Sequence, residues 1–185
     1  METFNKYDIE LERLRLDKIE LVRNWRNDPK ISQYMDFKEY ISPEMQINWF
    51  NKINNDNNYY FIVVYKNEDI GLVNVKDIDY NNKCGEPGIF IYEDKYLNTG
   101  VGILSALCIT DFAFEYLNLE YVYCHIMADN KRAVRFNIAL GYLIDEGQEE
   151  IKKQRYSLTK ERYIEHKKKL LKLFKNIKTI KEGEK

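Results

Sequence analysis

The 185-residue sequence is poor in the residues that staple or punctuate a chain: three Cys, three Pro and eight Gly. The cysteines, at 84, 108 and 124, are odd in number and far apart, and they form no C-x-x-C pair. That excludes a disulfide framework, points to no metal site, and reads as reduced core thiols in a cytoplasmic protein. An excess of either charge is also missing. Lys and Arg number 29 against 30 Asp and Glu, which leaves no electrostatic case for nucleic acid as the main partner. No apolar run approaches ~18 residues, so no membrane span is expected. The N-terminal METFNKYDIELERL is charged and lacks the apolar stretch of a signal peptide. No internal repeat is present.

What is there suits a globular chain. Hydrophobic residues make up 44% and charged residues 32%. The length fits one domain with an appendage, and such a domain buries roughly two-thirds of its unfolded surface without staples. The boundary is drawn at 160, with residues 1–160 as the domain and 161–185 as a basic C-terminal helix and tail.

The patterning places the elements. Asp8 to Leu16 alternates as a half-buried first strand. Asp17 stands at a cap position before a helix carrying Ile19, Leu21, Val22, Trp25 and Arg26, which Asn27-Asp28-Pro29 breaks. Pro29 can open a short helix through Met35. Ser42-Pro43 starts another, with Ile47, Trp49, Phe50 and Ile53 as its buried face. A three-strand meander follows at 59–65, 70–78 and 86–92. Then come a helix from about Ile103 to Leu117, a strand at 120–127, an amphipathic helix from Asn130 to Leu140, and strands at 142–146 and 151–158. Thr159 caps a helix through about Phe174, and a frayed tail from Lys178 is expected. The meander implies antiparallel pairing, and the strand–helix–strand unit implies one parallel contact. The expected fold is α/β: a mixed, twisted, mostly antiparallel sheet with helices on both faces.

Two motifs carry chemistry. In Tyr92 to Gly102, YEDKYLNTGVG, a strand ends, two glycines follow and a helix begins. Such a turn aims unpaired backbone N–H groups and the positive end of a helix dipole at an anion, and a pyrophosphate is the natural guest. It matches neither a P-loop nor a dinucleotide fold, because no G-K-[ST] follows and G-x-G-x-x-G is incomplete. In Asp129 to Tyr142, DNKRAVRFNIALGY, Asn130 is placed to cap a helix and to hold a ligand amide, and Ala133 is small. Phe136, Leu140 and Tyr142 are core by default.

The glycine turn, followed one strand later by N-x-x-A-V-x-F-x-x-x-L-G-Y, resembles the GNAT acetyltransferases over about residues 8 to 160. The resemblance implies acetyl-CoA as co-substrate and no metal. It implies that Leu97, Asn98, Thr99, Gly100, Val101 and Gly102 cradle the CoA pyrophosphate through backbone amides. Ile91, Tyr92 and Glu93 would present backbone groups to pantetheine, where the strand splays from its neighbour. Asn130 would bond the pantetheine arm, beside Ala133 and Phe136. Leu97 fills a slot where the family usually carries Arg or Gln, so weaker anchoring is expected. Asn137 stands where the family often has an acidic Tyr. It can donate a hydrogen bond to the sulfur or be a polar residue on an exposed helix face. His125 and Glu86 are the candidate bases; the alternatives are a packed strand histidine and a surface carboxylate.

The segment LVRNWRNDPKISQYMDF, with ISPEMQINWF and YSLTKERY, is similar to the GNAT enzymes that acetylate nucleotide-linked amino sugars, including the pseudaminic acid pathway type. That implies a small-molecule amine acceptor near Asn24, Trp25 and Arg26. Arg can fork onto phosphate and Trp can stack on a base or sugar, although core packing is the favoured reading of Trp25 and Trp49. A protein N-terminal amine and a polyamine are the alternative acceptors, the latter needing an acidic lining from Asp28, Asp36 and Glu39. A non-catalytic CoA-binding sensor is the alternative of another class. Leu170, Leu171 and Phe174 of the last helix can pack on the domain, meet a second subunit in a homodimer, or touch a membrane surface.

Overall fold

The computed structural model describes the backbone of residues 1–183 and the side chains of residues 1–174. The chain divides into two compact units, Met1–Ile78 with Pro87–Ile109 and Asp79–Glu86 with Thr110–Lys185.

The first unit opens on a hairpin. Strand β1 (Thr3–Lys6) pairs antiparallel with β2 (Ile9–Arg13) across Tyr7 and Asp8, which both take positive φ. Two such residues in sequence make the tight turn whose twist matches the strands. The single strand expected from Asp8 to Leu16 is therefore the second arm of a pair. The first arm, TFNK, buries no residue fully and so leaves no hydrophobic period to read.

Helix α1 (Ile19–Asn27) buries Ile19, Val22 and Trp25 on one face. Asp17 does not cap it. It lies in a 3-10 turn, Leu16–Lys18, and its carboxylate takes the Arg15 guanidinium instead. Helix α2 is one turn, Pro29–Ser32, with the Asp28 carboxylate accepting from the Lys30 N–H at 2.9 Å. It stops short of the expected Met35, and Tyr34 and Met35 follow in tighter three-residue turns. Helix α3 (Pro43–Ile53) begins as expected, the Ser42 hydroxyl accepting from the Met45 N–H. Its buried face is largely the expected one, with Phe50 buried and Trp49 and Ile53 packed against the core, and Ile47 is the exception. Gln46 is fully buried while Ile47 is 45% exposed, because the Gln46 amide reaches the Ile19 carbonyl of α1 at 2.9 Å.

Strand β3 (Tyr59–Tyr65) pairs with β2 and with β4 (Glu68–Asp79), antiparallel on both sides. Leu14, Ile19, Val22, Trp25, Phe50, Tyr60, Ile62 and Leu72 form the core where α1 and α3 meet these strands. Gly71 of β4 is required by close backbone approach: a Cβ there would stand 2.3 Å from the Phe90 carbonyl oxygen.

Strand β5 (Cys84–Ile91) leads to a loop and to helix α4 (Val101–Asp111), which continues as a π turn, Phe112–Tyr116, closed by Leu117 N–H to Phe112 O at 3.0 Å. In the second unit come β6 (Tyr121–Met127), α5 (Lys131–Leu140), β7 (Leu143–Ile144) and β8 (Lys153–Thr159). Helix α6 runs Lys160–Gly183, past the expected end at Phe174. Residues 184 and 185 of the expected frayed tail, and the side chains from 175 onward, lie outside the described residues.

The strands follow the order β1-β2-β3-β4-β5-β6-β8-β7 in one eight-stranded sheet. The mixed α/β architecture expected from the sequence is observed. Pairing is antiparallel from β1 to β4 and among β6, β8 and β7, and parallel between β5 and β6. The parallel register is short, with Cys84 opposite Tyr121 and Gly85 opposite Val122. Two residues further along β5 stands Pro87, which has no N–H to give a ladder. Among the described residues no helix is long and apolar enough to cross a membrane, and no three His, Cys, Asp or Glu are grouped to hold a metal.

Candidate active site

In the first unit, the end of β5 is fixed by its neighbours. The N–H groups of Tyr92 and Glu93 both donate to the Ile70 carbonyl, at 2.7 and 3.3 Å, and the Glu93 carbonyl accepts from Tyr96. This stretch therefore offers a ligand carbonyl oxygens rather than those two N–H donors. A 3-10 turn, Asp94–Tyr96, brings the chain to Leu97, whose backbone is extended. Asn98 and Gly100 then take positive φ, 63° and 91°, which folds the loop back before α4. The Gly100 carbonyl accepts from Leu104 N–H at 3.0 Å, so Gly100 is the residue that opens the helix. The N–H groups of Val101, Gly102 and Ile103 consequently have no acceptor within the helix. Among the described residues, that of Val101 meets only the Thr99 hydroxyl, at 3.5 Å.

The Tyr92 ring stacks on Trp25, with centroids 5.5 Å apart, and its hydroxyl donates to Asp28 at 3.1 Å, which pushes the phenol up. The Lys30 ammonium lies 3.8 Å above the same ring. Trp25 is 4% exposed and belongs to the core, as one of its two sequence readings allowed. Asn24 is exposed and accepts from Arg23. Arg26 differs from both. It lies half-buried over the Trp49 ring at 5.4 Å, and burial pulls its guanidinium below the ordinary value.

In the second unit, β6 alternates strictly. Val122, Cys124 and Ile126 are buried on one face, and Tyr123 and His125 point the other way. The expected cap at Asn130 is formed: its side-chain oxygen accepts from Ala133 N–H at 3.1 Å, which leaves the amide nitrogen as a donor. Asn137 is not on an exposed face. Its amide donates to the Ala133 carbonyl at 2.9 Å and its oxygen accepts from the Cys124 thiol at 3.7 Å. Burial, with Glu86 and Asp145 nearby, pushes that thiol up to about 12. Tyr142 is raised well above its ordinary value by the same burial and by the neighbouring Cys124 and Glu86. Phe136 and Ala133 are half-buried on α5.

The two candidate bases come together. His125 Nδ1 lies 3.2 Å from Glu86 Oε1, with the two side chains 35% and 15% exposed. Because Cys124 and His125 are successive residues of a strand, Asn137 and the His125–Glu86 pair lie on opposite faces of β6. Reading the sequence missed the groups around this pair. Arg155 sits opposite His125 on β8, bonds Asp145 at 3.0 Å and lies over Tyr123. Pro87 in a strand pattern was the available signal that the ladder stops beside Glu86.

Residues 8–142 match the family model described as an acetyltransferase (GNAT) domain. The chain belongs to the GNAT acetyltransferase family. As a GNAT enzyme it is an N-acetyltransferase that takes acetyl-CoA as co-substrate. It is 29% identical over 123 residues to the acetyltransferase PseH of two strains of Campylobacter jejuni, covering 66% of this chain and 74% of each relative. Among solved structures, the spermidine N-acetyltransferase of Vibrio cholerae in complex with CoA and spermine superposes with a TM-score of 0.75 at 22% identity, over 86% of this chain and 99% of that one. A domain from Methanocaldococcus jannaschii gives 0.69 at 20% identity, over 82% and 97%. The two structural likenesses bear on the fold.

Proposed function

We propose that this GNAT enzyme transfers an acetyl group from acetyl-CoA to the primary amine of a nucleotide-linked amino sugar. The observation that carries the acceptor class is Arg26. Among the described residues no carboxylate is paired with its half-buried guanidinium, and burial alone disfavours the charge. An anionic acceptor, such as a sugar diphosphate, relieves that cost through a fork of hydrogen bonds. A polyamine would bring more positive charge to the same place. Of the acidic lining a polyamine needs, Asp28 is already occupied in capping α2 and in accepting from Tyr92. The PseH relatives support the sugar reading, and the spermidine acetyltransferase structures keep the polyamine as the acceptor to test against it.

On the donor side, the turn at Leu97, Asn98, Thr99, Gly100, Val101 and Gly102 takes the pyrophosphate on its unpaired N–H groups. Ile91 and Tyr92 offer carbonyls to the pantetheine amides, with Glu93 beside them, and Asn130 offers its amide nitrogen. His125 with Glu86 serves as the base side of the reaction. Asn137, held by Ala133 and Cys124, is a hydrogen-bond donor at most, so CoA takes its proton from elsewhere.

The test is a panel of amines with acetyl-CoA, followed by thiol release: a nucleotide-linked 4-amino-dideoxy sugar, spermidine and a peptide with a free N-terminus. Turnover is expected with the sugar. Arg26→Ala is expected to raise the KM for the sugar about tenfold or more, the loss of one charge-assisted contact, with the KM for acetyl-CoA unchanged. Spermidine as the preferred acceptor, or a sugar KM indifferent to Arg26, overturns the acceptor class. Binding of acetyl-CoA without turnover on any amine would favour a sensor.

A further inference from the structure

We infer that Glu86 and His125 work as one unit, with His125 as the catalytic base and Glu86 as the positioning residue that holds its proton on Nδ1. This rests on the acetyl-transfer reading above. A carboxylate can only accept, so an imidazole nitrogen 3.2 Å from it carries a proton. The neutral ring is then the Nδ1–H form, and Nε2 is its basic nitrogen. The location supports a reacting site rather than a core contact. Glu86 is the first residue of β5 past the parallel pairs at Cys84 and Gly85, and Pro87 ends the ladder there. The side-chain pair thus stands at the open end of the β5–β6 ladder, with His125 more than a third exposed and its carboxylate largely shielded.

The surroundings hold the ring without competing for Nε2. From β8, Arg155 faces His125, but its guanidinium is bonded to Asp145 and laid over Tyr123. Tyr123, two residues back on β6, stands perpendicular to the imidazole, with ring centroids 5.8 Å apart. From β5 comes Glu86, the one carboxylate bonded to the ring among the described residues.

The reaction balances in protons. The acceptor arrives as an ammonium with three. His125 Nε2 removes one and passes it to water, freeing the lone pair that attacks the thioester carbonyl. The N–C bond forms and the C–S bond breaks. A second proton ends on the CoA sulfur, and the third stays on the amide nitrogen.

The experiment uses the full chain labelled with ¹⁵N. There are two histidines, and His125→Gln identifies the signals of one. Long-range ¹H–¹⁵N spectra are expected to show neutral His125 as the Nδ1–H form, kept in Glu86→Gln, whose amide oxygen still accepts, and lost to the Nε2–H form in Glu86→Ala. Turnover with the preferred amine should fall at least tenfold in Glu86→Ala and about 10²-fold in His125→Gln. The KM for acetyl-CoA should stay within twofold throughout. An Nε2–H ring in the wild type overturns the proposal. So does unaltered turnover in both Glu86 variants of an active enzyme. A wild type with the Nδ1–H ring and no turnover on any amine instead overturns the acetyl-transfer reading, and the catalytic role with it.

Discussion

A thiol that donates to Asn137 and is pushed up to about 12 behaves differently from one in water. The Cys124 proton is held in the folded chain well past the usual thiol value of 9. Unfolded, the same group ionises from about pH 9. Between 9 and 12 the unfolded chain therefore binds fewer protons, and stability falls as pH rises through that window; below 9 this group contributes no pH dependence. Tyr142, raised for the same reasons, acts in the same direction. Urea denaturation at pH 8 and pH 10.5 is expected to show a loss on the order of a few kcal/mol, smaller in Cys124→Ala. An equal loss in the variant would show that the alkaline sensitivity arises elsewhere. Cys124 also explains why Asn137 was hard to read. Its place in the motif identified the position, but a chain without coordinates does not show that a thiol one strand away occupies its oxygen.

The turn before α4 is where an element's shape and its function can be separated. Gly102 lies in the first turn of the helix, and a Cβ added there would meet only Ile91 Cγ1, at an ordinary 3.8 Å. Gly102→Ala should therefore fold at least as well as the wild type, since Ala favours helix by up to about 1 kcal/mol. If the N–H groups of this turn seat the pyrophosphate, the methyl obstructs the approach. Acetyl-CoA affinity is then expected to fall about tenfold or more, while the melting temperature without cofactor is unchanged or higher. Calorimetric titration decides it, and an unaltered affinity removes the turn from the cofactor site. Legibility followed the same division between elements. Strand β3 was read with its observed ends because YYFIVVY is a buried run bounded by polar turns. Helix α5 was read because Asn130 and Gly141 mark both ends. Strand β1 was missed for want of an apolar period, and on α3 only Ile47 was misplaced, since Gln46 is buried beside the expected Trp49, Phe50 and Ile53 by a hydrogen bond to α1. The glycine turn and Asn130 were visible as motifs. That Glu86 and His125, 39 residues apart, form a pair was not, because nothing in either local sequence records the register of β5 on β6.

At the scale of the whole chain, the question is what fastens a helix as basic as α6. The anchor is Asp111, fully buried where α4 turns into the π segment. It accepts from the Tyr163 hydroxyl at 2.7 Å and from the Lys167 ammonium at 2.6 Å. Tyr163 and Lys167 are four apart and so share one face of α6. Arg162 adds a bond to the Gly141 carbonyl at the end of α5. Leu170, Leu171 and Phe174, the apolar residues that drew notice in the sequence, are only half-buried. A polar anchor of this kind has a distinctive energetic signature. Removing Lys167 alone takes from the buried Asp111 the ammonium paired with it, so Lys167→Met is expected to cost about 3 kcal/mol. Asp111→Asn keeps an acceptor for Tyr163 and should cost less. In the double variant both halves of the ion pair are gone. Its cost should fall short of the sum of the two single costs by at least about 1 kcal/mol, as for groups in one network. Urea denaturation of the four proteins at neutral pH measures this. Strictly additive costs would mean that the ion pair merely accompanies the packing of Tyr163, and that the aromatic ring alone fastens the helix.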